Sequence, residues 1–172
     1  MIMTQAFDRA FVFSLEQEGG FVLSRLPGEK TETYAGIYRH MHPQWNGWAK
    51  IDAGDTISNS LKEMVKQFYF NEFWVRFNLE QLPAPLNALV FDFALNSGGQ
   101  TAIKRLQCLL PVKEDGLLGA KTAAAARGLD GAKLNTRYIA ARLDFLNDLT
   151  TWRDFGRGWS QRVVELLNYA AQ

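Results

Sequence analysis

Glu18 is followed at once by Gly19 and Gly20 and comes three residues after Leu15. Phe7, Phe11 and Leu15 recur at helical spacing, and a wheel drawn through them puts the Glu18 carboxylate on the apolar face. Two glycines suit a helix stop and a backbone that leaves room for a ligand. A carboxyl on an apolar surface beside an open backbone is a setting for general acid chemistry. The competing description is a solvated glutamate in a last turn, with Gly-Gly as a plain C-cap.

A second group of residues points the same way. Tyr34, Tyr38, Trp45 and Trp48 crowd one segment. Aromatic faces with polar edges suit sugar rings, and they serve equally well as core anchors. Together with Glu18 they make glycoside cleavage the leading chemistry. That reaction needs a proton donor for the leaving oxygen and usually a second carboxylate. Glu29, Glu32 and Asp52 are the candidates for it. Other chemistries lack their signatures. His40 and His42 precede Pro43 with no cysteine or carboxylate at ligand spacing, so neither a metal nor any other cofactor is expected. The glycine pairs lack the strand-before, helix-after setting of a phosphate loop, and there is no Gly-x-Ser-x-Gly elbow.

The elements that must position these residues read as helices. The first runs from about Thr4 to Glu18. The stretch from Gly19 to about Asp55 has no clean period and is expected to be a long functional loop, with a short hairpin or helical turn. Asp55 or Thr56 is expected to cap a helix whose stripe is Ile57, Leu61, Met64, Val65 and Phe68. Pro83 and Pro85 open another, ended by Ser97-Gly98-Gly99. Further helices follow around Ala102–Leu110, Thr122–Ala126, Leu134–Leu149 and Val163–Ala170, with Asp115-Gly116 as a turn. The expected fold class is mainly α. Leu82–Pro85 is the candidate seam, dividing the chain into residues 1–82 and 83–172.

Composition is that of an aromatic-rich globular protein of 172 residues, 47% hydrophobic and 22% charged. A net charge of +1 gives no case for nucleic acid or for an acidic membrane. The single cysteine, Cys108, lies between Leu106 and Leu109 and is expected to be a buried thiol. Asp8 and Arg9 interrupt any signal-peptide-like apolar run, and no stretch approaches the roughly 20 apolar residues of a spanning helix. Synthesis in the cytoplasm without a signal peptide is the resulting expectation.

Glu18-Gly19-Gly20-Phe21, Glu32-Thr33-Tyr34-Ala35-Gly36-Ile37, Pro43-Gln44-Trp45-Asn46-Gly47-Trp48 and Ile51-Asp52 resemble the N-terminal half of glycoside hydrolase family 108. These are lysozyme-like N-acetylmuramidases of phages and prophages. Phe91-Asp92-x-Ala94-x-Asn96-x-Gly98, Leu106-Gln107, Asp115-Gly116-x-x-Gly119-x-x-Thr122 and Phe155-x-x-Gly158-Trp159-x-x-Arg162 resemble the peptidoglycan-binding region that accompanies it. The resemblance implies a lysozyme-like helical fold with a long N-terminal active-site loop. It makes Glu18 the general acid and Thr33 a residue that positions water or sugar, with Glu32 beside it. Gly19, Gly20, Tyr34, Trp45, Trp48, Asp92 and Asn96 become candidate substrate contacts, Asp92 and Asn96 having a plain hydrogen-bonding role as the other reading. Where the family commonly carries Asp-Pro-Gly-Gly, this chain reads Leu26-Pro27-Gly28-Glu29, without the aspartate.

The expected activity is therefore hydrolysis of the β-1,4 bond after N-acetylmuramic acid in peptidoglycan, by a monomer acting on the cell wall after release by a separate holin-type pore former. A lytic transglycosylase forming anhydromuramic ends is the enzymatic rival, because it needs only one glutamate. A non-catalytic cell-wall binder or phage structural protein is the rival from another class.

Overall fold

Phe7, Phe11 and Leu15 are buried on helix α1, Gln5–Gln17, which ends one residue before Glu18. The structure, a computed structural model, describes residues 2–25 and 31–172. The chain forms two compact units: Met1–Ala10 together with Phe73–Gln172, and Phe11–Glu72. The Pro-marked segment Leu82–Pro85 lies inside the first of these.

In the Phe11–Glu72 unit the irregular stretch after α1 contains a small antiparallel sheet. Its strands are β1 (Leu23–Ser24), β2 (Thr33–Tyr34) and β3 (Ile37–Tyr38), in that order. Leu23 faces Tyr34, Ser24 and Tyr38 face Thr33 from either side, and Tyr34 faces Ile37. Helix α2 (Gly47–Asp52) follows, then α3 (Asn59–Tyr69). α3 starts later than its sequence pattern suggests. The Asp55 side chain accepts from the Ser58 N–H and hydroxyl, which holds a turn open. Ser58 then becomes the N-cap, accepting from Leu61 N–H at 3.1 Å. Ile57 falls outside the helix and is 80% exposed, so it does not belong to the apolar stripe. Leu61, Val65 and Tyr69 are its buried face. A π-helical segment, Phe70–Val75, continues the chain.

The other unit is helical: α4 (Leu86–Ser97), α5 (Gly99–Gln107), α6 (Ala120–Arg127), α7 (Gly131–Asn147) and α8 (Trp152–Ala170). Every residue from Leu86 to Ala94 is buried, so α4 is the central helix; α5, α7 and α8 pack against it. Phe7 meets Trp74 and Phe91 edge-on beside it. Gln107, 1% exposed, explains the Leu-Gln and Asp-Gly motifs. Its amide nitrogen donates to Asp115, Leu117 O and Thr122, and its oxygen accepts from Gly116 N–H. Gly116 sits at φ +76°, which favours glycine. Cys108 is exposed, contrary to expectation, because it caps α5 where the helix surface turns to solvent. Its thiol donates to Arg105 O at 3.0 Å.

Asp92 is fully buried on α4 and is gripped by two cations. Arg142 of α7 donates to Oδ2, and Arg162 of α8 donates to both oxygens, at 2.7 Å to Oδ1 and 3.0 Å to Oδ2. Arg142 also donates to Asn96 and lies 5.1 Å over the Phe93 ring. Burial works to raise the Asp92 pKa, but the charges and hydrogen bonds of both arginines outweigh it and hold the carboxyl below its ordinary value. A depressed carboxylate contributes stability above its unfolded pKa of about 3.9, lost as pH falls through the folded value. Asp92→Asn should therefore destabilise the protein by about 3–5 kcal/mol near neutrality, because two buried cations lose their counter-charge. It should also weaken the fall in stability at acid pH. Urea denaturation at pH 7 and pH 3.5 checks both; equal stability of the two proteins at pH 7 would contradict the assignment.

Candidate active site

The backbone around Glu18 closes α1 in a Schellman motif. Gly20 N–H bonds to Leu15 O at 2.9 Å, and Gly19 N–H to Glu16 O at 3.1 Å. Glu18 is thus the C-cap residue, with its own N–H shared between Ser14 O and Leu15 O. Gly19 and Gly20 both have φ near +80° (+82° and +80°), and a Cβ on either would meet nothing within 4 Å. Glycine is needed there for the backbone turn and not for close packing.

The β2–β3 turn meets this cap. Ala35 (φ +48°) and Gly36 (φ +78°) form a two-residue hairpin loop of the primed type, with both central residues left-handed. A non-glycine residue there costs on the order of 1–2 kcal/mol. Two hydrogen bonds offset that cost: Ala35 N–H donates to Val22 O at 3.1 Å, and the Tyr69 hydroxyl donates to Ala35 O at 2.7 Å. Tyr69, buried at the end of α3, therefore pins the turn. A Cβ built on Gly36 would lie 2.5 Å from Tyr69 Oη, 3.3 Å from Glu18 Cγ and 3.4 Å from Glu18 Oε2. The Glu18 carboxyl, half-buried, is lodged against the bare α-carbon of the turn.

Thr33, one residue before Tyr34 in β2, is 7% exposed, and its hydroxyl is buried with no hydrogen-bond partner among the described residues. A buried hydroxyl without a protein partner is free to hold a water or a ligand group. Glu32 and Asp52 are both held by Arg39. Its guanidinium grips Asp52 in a fork, at 2.6 and 3.1 Å, and its Nε lies 3.1 Å from Glu32 Oε1. The same group lies 4.4 Å over the Trp48 ring. The hydrogen bond from Arg39 holds the Asp52 carboxyl below the ordinary aspartate range. Glu29 lies outside the described residues.

The candidate substrate contacts divide. Trp45 is half-buried, stacked on Tyr34 and edge-on to Trp48 and Phe68. Tyr34 is fully buried, donates to Thr56 O at 2.9 Å, and its hydroxyl pKa is pushed up by burial, then by Asp55. Trp48, 3% exposed, donates to His42 O at 2.8 Å. Both are core anchors that support Trp45 and present almost no surface to a ligand. Asp92 likewise has no exposed surface, and its oxygens hold arginines; its role is structural, and Asn96 shares Arg142. Sequence reasoning missed Tyr69 and Arg39. Tyr69 was detectable as the polar-tipped end of the Leu61, Val65 stripe; Arg39 carried no spacing signal.

Gly36→Ala is expected to lower activity at least tenfold, because the new methyl must displace Tyr69 or Glu18. It should also cost about 1–2 kcal/mol in stability through the left-handed backbone. Catalytic turnover and thermal melting check this; unchanged turnover would show that the turn does not position Glu18.

Comparison with known proteins identifies the family and the fold. The model of the family described as Glycosyl hydrolase 108 matches residues 11–98, which contain Glu18, Thr33, Gly36, Trp45 and Tyr69. Among solved structures, SagA of Brucella abortus is similar, with a TM-score of 0.76 at 29% identity, covering 96% of this chain and 93% of its own. No curated protein matches the chain. The fold is the mainly α, lysozyme-like class expected from the sequence. The protein belongs to glycosyl hydrolase family 108.

Proposed function

We propose that this glycoside hydrolase cleaves the β-1,4 bond after N-acetylmuramic acid in peptidoglycan, with Glu18 as the general acid. The observation that carries the reading is the lodging of the Glu18 carboxyl, at the glycine-rich cap of α1, against Gly36 and beside Tyr69. A fixed proton donor is what glycosidic bond cleavage requires. Glu18 gives its proton to the bridging oxygen as the bond from the anomeric carbon to that oxygen breaks. Thr33 holds the attacking water through its otherwise unpartnered hydroxyl. The water adds its hydroxyl to the anomeric carbon and gives up its proton to solvent, from which the Glu18 carboxylate is reprotonated. The enzyme acts at the cell wall as a monomer, released by a separate pore former; the family's fit to a peptidoglycan substrate supports the cell-wall setting.

One observation favours a second reading. Both described candidates for a second carboxylate, Glu32 and Asp52, are paired with Arg39. A lytic transglycosylase needs only one glutamate: the muramic 6-hydroxyl attacks the anomeric carbon and returns its proton to Glu18. Its product is lighter than the hydrolytic one by one water.

Glu18→Gln should reduce clearing of purified peptidoglycan by about 10²–10⁴-fold, the usual worth of general acid catalysis, with an unchanged circular dichroism spectrum. A folded variant that still clears would remove Glu18 from the role. Thr33→Val should lower kcat by about tenfold or more through loss of one hydrogen bond to the water, and Thr33→Ser should restore most of it. Mass spectrometry of the soluble products decides the reaction type. Hydrated reducing muramic ends are expected; anhydro ends would assign a transglycosylase, and no clearing by folded wild type a binding role.

A further inference from the structure

Thr33 begins a strand of two residues, and a strand that short is not rigid by itself. Its hydroxyl has no hydrogen-bond partner among the described residues, so that group gives it no anchor. The place of Thr33 therefore depends on what holds the hairpin around it. At the hairpin tip, Tyr69 donates to Ala35 O. At the base, Glu32 stands opposite Arg39, next to the Thr33–Tyr38 pair.

Arg39 closes that base with its backbone and its side chain. Its N–H donates to Glu32 O at 3.1 Å, and its Nε lies 3.1 Å from Glu32 Oε1. Its guanidinium then reaches α2. There it holds both oxygens of Asp52, at 2.6 and 3.1 Å, and lies 4.4 Å over the Trp48 ring. Trp48 is itself fixed, buried and donating to His42 O at 2.8 Å. The His40 N–H, donating to the Thr31 hydroxyl at 3.1 Å, extends the same closure by one residue. One side chain thus ties both strands of the hairpin to a helix. Exposed ion pairs contribute little to the stability of a whole domain, but this one is forked and shared between two acids. What it holds is a hairpin with little stability of its own, so its effect is local.

We infer that Arg39 is a positioning residue: it fixes the base of the hairpin on α2 and so holds the Thr33 hydroxyl where the attacking water sits. Asp52 and Glu32 are its anchors and take no part in bond making. This rests on the proposed peptidoglycan hydrolase, with Thr33 at the water, and deepens it. Tip and base have separate duties: Tyr69 and Gly36 place the acid, and Arg39 places the hydroxyl.

The test is a double-mutant cycle on kcat and KM, using the full chain and soluble, uncross-linked peptidoglycan strands. Arg39→Met keeps an apolar cover over Trp48 and loses the charged fork. It should lower kcat about tenfold and leave KM within about twofold, because a misplaced group costs rate while the glycan contacts stay. Thr33→Val should then add little: about tenfold in total, where independent effects would give about a hundredfold. Gly36→Ala acts at the acid, so its loss should multiply with that of Arg39→Met; a general loosening of the fold would couple the two. Asp52→Asn should mimic Arg39→Met and add nothing to it. Circular dichroism and a cooperative melt check that each variant is folded, and Asp52→Asn carries the same cycle if Arg39→Met does not fold. Unchanged kcat, a loss carried by KM, multiplication with Thr33→Val or coupling to Gly36→Ala would each overturn the inference. So would a further loss from Asp52→Asn in the Arg39→Met protein. All of these leave the hydrolase standing. Failure of folded wild type to release products in a Glu18-dependent way would instead remove the hydrolase, and the role of Arg39 with it.

Discussion

The hydrogen bond from Tyr69 to the carbonyl of Ala35 is the contact on which the site depends. It joins the end of α3 to the tip of a hairpin whose strands are only two residues long. Such a hairpin has little stability of its own. Its turn also needs a left-handed alanine, which the backbone resists. The bond from Tyr69, with the second from Ala35 to Val22, holds that turn in place. Only then does the bare α-carbon of Gly36 face Glu18. The Schellman cap sets the other side, because Gly19 and Gly20 turn the chain away as soon as Glu18 has been delivered.

The acidic groups show how environment divides one chemistry into several roles. Asp92 is buried between two arginines and ties three helices of its unit together. Asp52 and Glu32 sit at the surface and grip Arg39, which covers Trp48. Asp55 shapes the turn before α3. Glu18 alone among these is placed by a helix cap, a glycine turn and a tyrosine hydroxyl. Counting carboxylates in the loop would have treated Glu32, Asp52 and Glu18 as equivalents, and the arginine separates them.

Much of this was legible in the sequence where a residue type has one structural use. The wheel through Phe7, Phe11 and Leu15 located α1, and Gly-Gly located its end. Pro83 and Pro85 marked the start of α4, and Asp115-Gly116 a turn. The illegible parts depended on partners far along the chain. Nothing near Asp92 announces Arg142 and Arg162, so its burial could not be read locally. Ile57 looked like a core residue because periodicity ignores the competing side-chain turn of Asp55 and Ser58. Cys108 looked buried because its leucine neighbours are apolar, yet the helix cap turns it outward. Trp45 and Trp48 look alike in sequence, but the Trp48 indole is used up on the His42 carbonyl, and only Trp45 keeps a face toward a pocket.

The central claim is that residue 18 is held where a glycosidic oxygen arrives. A crystal structure of the Glu18→Gln protein with a bound peptidoglycan glycan fragment tests it most directly. The account predicts the bridging oxygen within about 2.6–3.2 Å of the residue 18 side chain, the reach of a proton donor, with Gly36 and Tyr69 as placed here. A glycan seated productively with its bridging oxygen beyond that reach would contradict it.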